Sequence, residues 1–138
     1  MKYVLDTNFV SALMGDDERA MDRLATVARS EIGVPQPVLA EIAYGIARLA
    51  KSKRKKVLHE RFELLRSVLP IAPWTQAVTD AFGEIKAKLE LTGKRIEDFD
   101  AAIAAHAKAH RAVLVTSNVK HMKRVPDLEV DDWLVDAP

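Results

Sequence analysis

The chain has 138 residues, of which 49% are hydrophobic and 30% are charged, so its length and composition are those of one ordinary globular domain. It contains no cysteine, which excludes disulfides, thiolate zinc sites, iron–sulfur clusters and cysteine nucleophiles. The 21 Lys and Arg residues nearly balance the 20 Asp and Glu residues, so the total charge of +1 does not by itself indicate a nucleic-acid-binding protein.

Short apolar runs alternate with amphipathic helical patterns along the chain, and proline and glycine mark the boundaries. The predicted strands are residues 3–5, 32–34, 69–72, 112–115 and 128–130. The predicted helices are residues 8–14, one beginning at the acids of residues 16–18, one beginning at Pro37, then residues 53–68, 75–91 and 99–110. Continuous apolar strands separated by helices predict a parallel sheet covered on both faces. We therefore predict a three-layer α/β fold with four or five parallel strands, in a single domain over residues 1–138.

Polar residues lie near the carboxyl ends of the predicted strands, where parallel α/β sheets bind their ligands. Asp6 follows the first strand, Glu41 lies one turn into the helix after the second, and Asn118 follows the fourth. Asp100 begins the helix that precedes the fourth strand. Three converging carboxylates repel one another, and an oxygen-preferring cation such as Mg²⁺ or Mn²⁺ relieves that repulsion. This pattern favours a metal site.

Each of these acids also has an ordinary structural explanation when it is taken alone. Asp6 could be a turn or cap residue, and Glu41 could pair with Arg48 or face solvent. Asp98 and Asp100 point about 200° apart on a helix, so at most one of them faces the site. We assign Asp98 to the helix N-cap. We assign Asp100 to the site, because it lies one turn before the helix face that must pack on the sheet.

Four motifs in chain order resemble those of one known family. They are Leu-Asp-Thr-Asn at 5–8, Leu-Ala-Glu-Ile at 39–42 with Gly45-Ile46, Asp-Ala-Ala-Ile-Ala-Ala-His-Ala at 100–107, and Leu-Val-Thr-Ser-Asn at 114–118 with Val-Pro-Asp-Leu at 125–128. Together they resemble the PIN-domain ribonucleases, and most closely the VapC toxins of type II toxin–antitoxin modules, including the FitB-like branch. The resemblance extends over residues 2–133. It departs at Asn118, where relatives often have Asp, and at His121-Met122, where many have an acid or His followed by Phe.

The resemblance implies a PIN-like fold and a metal-dependent endoribonuclease that hydrolyses phosphodiester bonds of tRNA or ribosomal RNA and so inhibits translation. It makes Asp6 and Asp100 the principal ligands of one or two Mg²⁺ or Mn²⁺ ions. Glu41 completes the metal site or orients the attacking water. Hydrogen bonds to a ligand, water or phosphate are assigned to Thr7, Thr116 and Asn118.

The same resemblance implies two protein partners. One is a cognate VapB-type antitoxin, which would cover an apolar groove formed by the early helices and place its tail over the acidic site. The other is a second copy of the chain, in a homodimer. No segment approaches the about 20 apolar residues that span a membrane, and the first residues do not resemble a signal peptide, so we expect a cytoplasmic protein without membrane association.

Basic residues are concentrated in one segment. Residues 48–66 contain eight Lys and Arg and two Glu, a net charge of +6, with Lys53, Arg54, Lys55 and Lys56 at the centre. One interpretation is a solvated turn between two helices. In an enzyme that cuts RNA, the same residues are a candidate surface for the phosphate backbone.

Two other function classes fit parts of the pattern. A haloacid-dehalogenase-like phosphatase also has an Asp after its first strand, but it needs a second Asp two residues later, where this chain has Asn8. A catalytically silent PIN-like module that binds RNA or protein would have no need of three carboxylates. Cleavage by the purified protein that EDTA blocks would separate these hypotheses from the nuclease.

Overall fold

A parallel sheet forms the centre of the computed structural model, which describes residues 1–135. Its strands are, in chain order, β1 (Tyr3–Leu5), β2 (Ile32–Pro35), β3 (Ile71–Ala72), β4 (Val113–Val115) and β5 (Val130–Asp131). They are arranged in the order β3-β2-β1-β4-β5, and every neighbouring pair is parallel. The strands β2 and β3 lie on one side of β1, and the later strands β4 and β5 lie on the other. The strand order therefore reverses between β1 and β4. Ligands bind at such a reversal in open α/β sheets.

Helices flank this sheet, which confirms the predicted three-layer α/β fold with five strands. They are α1 (Thr7–Met14), α2 (Glu18–Ala25), α3 (Gln36–Ala47), α4 (Lys53–Val68), α5 (Gln76–Leu91), α6 (Asp98–His110) and α7 (Val119–Met122), with a short 3₁₀ turn at Arg29–Glu31. Within residues 1–135, none of the helices combines the length and the apolar character needed to cross a membrane.

The alanine-rich helix α6 is the most enclosed helix of the fold. Residues 101–107 are all buried, and Ile103, Ala104 and Ala105 have no exposed surface. Small side chains allow the helix to lie close to its neighbours, which are the helices α5 and α3 and the strands β1 and β4. This packing fixes the position of Asp100 in the first turn of α6.

Several local features differ from the sequence-based prediction. The helix α1 begins at Thr7, one residue early, because the side chain of Asp6 accepts a hydrogen bond from the backbone N–H of Thr7. The strand β2 includes Pro35, which pairs with Ala72 at the carboxyl end of β3. The strand β5 begins at residue 130 rather than 128. The one-turn helix α7 and the 3₁₀ turn are too short to produce a periodic pattern, so they were not predicted.

Candidate functional site

Asp6 and Thr116 lie side by side at the edge of the sheet. Leu5 of β1 pairs with Val115 of β4, so the residues that follow the two strands are neighbours. The hydroxyl of Thr116 donates to Asp6 Oδ2 at 2.7 Å, and the backbone N–H of Thr7 donates to Asp6 Oδ1 at 2.7 Å. Only 3% of Asp6 and 1% of Thr116 are exposed. Each carboxylate oxygen of Asp6 therefore has a hydrogen-bond donor that fixes its orientation.

Glu41 joins this edge through Thr7. The helix α3 begins directly after β2, so Glu41 lies near the carboxyl end of a strand adjacent to β1. The Thr7 hydroxyl donates to Glu41 Oε1 at 2.6 Å, and Glu41 is half-buried. Thr7 thus donates hydrogen bonds to two carboxylates, from its backbone N–H to Asp6 and from its side-chain hydroxyl to Glu41.

Asp100 completes a group of three carboxylates. Burial is the largest cause of its raised pKa, followed by the charges of Asp6, Glu41 and Glu97, and together they raise the pKa of Asp100 to about 6. Its repulsion from Asp6 and Glu41 shows that the three acids, far apart in sequence, lie within electrostatic reach of one another. Burial also raises the pKa of Asp6, against the hydrogen bonds from Thr116 and Thr7 that lower it.

Asp98 is not the N-cap of α6, contrary to the prediction. The N-cap is Glu97, whose side chain makes no capping hydrogen bond, and Asp98 is the first residue of the helix. The Asp98 carboxylate instead forms a salt bridge of 3.0 Å with Lys86 of α5. The helix begins one residue before the predicted start, which turns Asp98 toward α5 and leaves Asp100 near Asp6 and Glu41.

Asn118 connects to the same group through its backbone. Its N–H donates to the Thr116 hydroxyl at 2.9 Å, and its side-chain oxygen lies 2.7 Å from Nδ1 of His121. Asn118, His121 and Asp100 line a cavity of about 750 Å³, whereas Thr7 and Glu41 line a second cavity of about 400 Å³. Hydrogen bonds therefore link five of the six residues proposed for the site from the sequence, namely Asp6, Thr7, Glu41, Thr116 and Asn118, and Asp100 lies within electrostatic reach of Asp6 and Glu41.

The comparison with known proteins identifies the fold. The PIN domain family matches residues 3–128. The chain belongs to the PIN-domain family. It is 36% identical over 135 residues to Ribonuclease VapC2 of Rickettsia felis, covering 96% of this chain and 98% of that protein. It is 32% identical over 120 residues to Toxin FitB of Neisseria gonorrhoeae, covering 82% and 85% of the two chains.

A solved structure has the same architecture as this PIN domain. The crystal structure of VapBC2 from Rickettsia felis, bound to a DNA fragment from the promoter, superposes with a TM-score of 0.85 at 32% identity. The match covers 96% of this chain and 99% of the other. The predicted resemblance to VapC and FitB is thus confirmed, and relatives named as a ribonuclease and a toxin favour a nuclease over a phosphatase.

The PIN domain offers oxygen ligands that suit Mg²⁺ or Mn²⁺. No salt bridge joins Asp6, Glu41 or Asp100 to a Lys or Arg anywhere in residues 1–135. Over the same described residues, His, Asp and Glu side chains do not gather in threes at the spacing of metal ligands. Mg²⁺ keeps several waters and commonly binds through one or two carboxylates, so a loosely spaced, unneutralised set of acids fits this ion.

The four basic residues predicted to bind RNA have different surroundings in the PIN domain. They occupy the first turn of α4, where Lys53 and Lys56 are exposed. Arg54 lines the same cavity as Glu41. The Lys55 ammonium donates to the carbonyls of Ala47 and Leu49 at 3.3 and 3.1 Å, so it holds the end of α3.

Three further residues near the site of the PIN domain were not predicted from the sequence. Arg95, His121 and Arg124 line the 750 Å³ cavity together with Asp100. His121 lies three residues after Asn118 in a helical turn, and this spacing is a signal that could have identified it. Arg95 and Arg124 lie outside the periodic segments, where only the path of the loops brings them to the cavity.

Proposed function

We propose that this PIN domain is a Mg²⁺- or Mn²⁺-dependent endoribonuclease, the toxin of a VapBC-type module, which hydrolyses tRNA or ribosomal RNA to inhibit translation. The observation that carries the proposal is the approach of three carboxylates at the sheet edge without a cationic side chain to neutralise them. Asp6 and Asp100 would hold the ion, which when bound activates a water and neutralises charge on the phosphate.

The chain's own residues position the reacting groups. The Thr116 hydroxyl and the Thr7 backbone N–H hold Asp6 in one orientation. The Thr7 hydroxyl donates a hydrogen bond to Oε1 of Glu41, so the other carboxylate oxygen, Oε2, can orient the attacking water and accept its proton. Asn118 lies on the wall of the cavity with Asp100, where its amide can contact a phosphate or a water.

The decisive experiment compares the wild-type protein with Asp6→Asn on purified tRNA and ribosomal RNA. We expect metal-dependent cleavage by the wild type, its loss in EDTA, and no cleavage by the folded variant. Expression in cells is the second readout, with new RNA ends mapped after induction to identify the target. An Asp6→Asn variant that stayed fully toxic would overturn the assignment, and a wild type that bound RNA without cutting it would support the silent module instead.

The basic turn of α4 supplies the expected surface for the RNA backbone. We assign this role to Lys53, Arg54 and Lys56, with Lys55 contributing its charge from a fixed position. Neutralising the three free residues should weaken RNA binding and flatten its dependence on salt, because fewer counterions are released. Lys55→Gln is tested separately, because it removes the hydrogen bonds to the carbonyls of Ala47 and Leu49 as well as one charge, and a thermal melt measures the structural part of its effect.

The antitoxin is the protein partner expected at the early helices. An apolar groove of about 370 Å³ between α1, α2 and α4 is lined by the exposed side chains of Met21, Leu64 and Val68 and by the half-buried Leu24. Met21 is 49% and Leu64 65% exposed, so a helix laid in the groove would remove apolar surface from water. Co-purification of a co-expressed VapB-type antitoxin with the wild type, but not with Leu64→Asp, tests this partner.

A second copy of the chain is expected on the other side of the molecule. Trp74 and Phe99 are 45% and 47% exposed and line an apolar groove of about 390 Å³ near the start of α6. Light scattering of the purified protein should give the mass of a dimer, and Phe99→Asp should give that of a monomer. We place the protein in the cytoplasm, where the proposed RNA substrates are found.

A further inference from the structure

Two arginines stand on the wall of the cavity that contains Asp100. Arg95 precedes α6, and Arg124 follows α7, so two separate loops bring them to the cavity of about 750 Å³. Asp100 and Asn118 line the same space. Two basic residues therefore line the same cavity as Asp100, one of the carboxylates proposed to carry the chemistry.

The fold holds the Arg124 side chain, and neither arginine is neutralised by a carboxylate. Arg124 is half-buried, and its Nη1 donates to the backbone carbonyl of Arg95 at 2.8 Å. This bond uses one of the five N–H groups of the guanidinium. Within residues 1–135, no salt bridge joins Arg95 or Arg124 to a carboxylate.

Three other arginines on the surface pair with carboxylates, whereas Arg29, Arg48, Arg54 and Arg111 form no salt bridge within residues 1–135. Arg23 contacts Asp131 at 3.6 Å, Arg61 contacts Asp16 at 3.1 Å, and Arg66 pairs with Glu63 on α4. The two arginines at the cavity thus keep their charge available for a ligand, although acids lie nearby.

The charge on the cavity wall suits a phosphate. Asp98 lines the cavity but is paired with Lys86, which leaves Glu97 and Asp100 as its unpaired acids beside the two arginines. A polyanion entering a space lined by carboxylates alone would be repelled. The guanidinium fork matches the oxygens of a phosphate and can bind two of them at once.

We propose that Arg95 and Arg124 form a phosphate-binding pair that holds one backbone phosphate of a single RNA strand, next to the bond that is cut. The inference rests on the proposed function, because that function makes RNA the occupant of the cavity. The pair fixes which stretch of the strand lies over Asp100, and it compensates for the repulsion between the strand and the carboxylates.

Binding without metal tests the pair separately from cleavage. The probe is a fluorescently labelled single-stranded RNA of mixed sequence, about ten nucleotides long, titrated with protein in EDTA at several salt concentrations. We expect Arg95→Gln with Arg124→Gln to weaken binding about tenfold. The slope of log affinity against log salt should fall by about 0.7, the value for one lost phosphate contact on a single strand.

The matched control is Lys120→Gln with Lys123→Gln. These lysines are exposed neighbours of Arg124 that do not line the cavity, and the double variant loses the same two charges. Arg95→Gln alone is the variant least able to disturb the fold, because the hydrogen bond to its carbonyl uses the backbone. We expect affinities within about twofold of wild type for the control and an intermediate loss for Arg95→Gln.

The outcomes separate the two proposals. Unchanged binding by the arginine variant, or an equal loss in the lysine control, would overturn the phosphate-binding pair. An RNA that the wild type binds through the pair but never cuts with Mn²⁺ would overturn the proposed nuclease and leave the pair standing. If the wild type cuts RNA and the arginine variant has the same KM and salt dependence, the nuclease stands and the pair falls.

Discussion

The two halves of α6 each contain an ionisable side chain whose pKa is shifted by burial, yet their surroundings differ. Asp100 in the first turn lines a cavity and feels the charges of Asp6 and Glu41. His106, two turns later, has no exposed surface, and neither of its ring nitrogens has a hydrogen-bond partner in the described part of the chain. Burial, followed by the charge of His110, lowers the pKa of His106 to about 4.

A shifted pKa is stronger evidence for a functional role when the group also faces polar partners and open space. Asp100 has both, since carboxylates and an amide surround the cavity beside it. His106 packs against the Trp74 ring with centroids 5.6 Å apart, in an edge-to-face contact. An imidazole held neutral against an aromatic ring, without a hydrogen-bond partner in the described residues, is a packing residue.

The largest effect that this contrast predicts is on catalysis. If Asp100 holds the metal as proposed, Asp100→Asn should reduce RNA cleavage by at least about a hundredfold, because loss of a direct ligand exceeds the 10- to 100-fold cost typical of its supporting residues. The thermal midpoint of unfolding should stay level or rise, since the change removes a charge that Asp6 and Glu41 repel. Cleavage of purified RNA and a thermal melt measure the two effects.

Asp98→Asn is the matched control, two residues away on the same helix. Its carboxylate pairs with Lys86 rather than with the site, so cleavage should stay within a few-fold of wild type. Equal losses in the two variants would mean that the start of α6 matters for structure and that Asp100 has no special role.

The next effect is on stability in acid. The unfolded chain protonates His106 below its ordinary pKa of 6.5, whereas the folded chain keeps it neutral down to about pH 4. Its contribution to the free energy of unfolding is therefore complete above pH 6.5 and is lost as the pH falls toward 4. One pKa unit corresponds to about 1.4 kcal/mol, which gives a loss on the order of 3 kcal/mol. Urea unfolding at a series of pH values measures it, and His106→Leu should remove this part of the slope.

Asp100 should contribute with the opposite sign over nearly the same range. Its pKa in the folded state is about 6, above the ordinary 3.8, so the folded chain binds this proton more tightly and gains stability as the pH falls from 6 toward 4. Asp100→Asn should therefore make the loss of stability in acid steeper, while His106→Leu should make it shallower. If the free energy of unfolding changed with pH in the same way in Asp100→Asn and in His106→Leu, the two residues would not have opposite effects on stability in acid.

The positions of Asp6, Glu41 and Asp100 near one edge of the sheet could be predicted from the sequence, because a simple local feature marks each of them. Asp6 follows a buried strand, and parallel strands end at one edge, so Thr116 had to lie near it. Glu41 and Asp100 interrupt apolar helices, where an acid is costly without a partner. Asp98 and Asp100 could be distinguished because two residues this far apart on a helix point in nearly opposite directions.

The surroundings of that edge could not be predicted, because they depend on loops. Arg124 reaches the carbonyl of Arg95 across 29 residues of sequence, and no local pattern encodes this contact. In the sequence, Lys55 belongs to a cluster of basic residues. In the structure, the turn between α3 and α4 places its ammonium within hydrogen-bond distance of the carbonyls of Ala47 and Leu49. The cap of α6 was misassigned because Glu97 and Asp98 are adjacent acids, and pattern alone places a helix end only to within a residue or two.

Metal binding should raise the free energy of unfolding through Asp100, in the first turn of α6, and not through His106. At a free Mn²⁺ concentration ten times its Kd, the free energy of unfolding should rise by about 1.4 kcal/mol. The rise should shrink below pH 6, where the proton competes for Asp100, and it should be smaller in Asp100→Asn. Melts with and without Mn²⁺ at pH 7.5 and 5.5 measure it. The same shift in wild type and variant would place the ion elsewhere.

The smallest effect concerns the hydrogen bond that distinguishes Glu41 from a solvated acid. Thr7→Val keeps the shape of the side chain and the backbone N–H on Asp6, but it removes the hydroxyl that donates to Glu41 at 2.6 Å. A hydrogen bond of this kind contributes about 1 kcal/mol, so kcat should fall about fivefold while RNA binding in EDTA stays unchanged. Thr7→Ser retains the hydroxyl and should restore most of the rate. A Thr7→Val enzyme with full kcat would show that Glu41 is held well enough by α3 alone, and the hydrogen bond would then belong with the packing contacts rather than with the site.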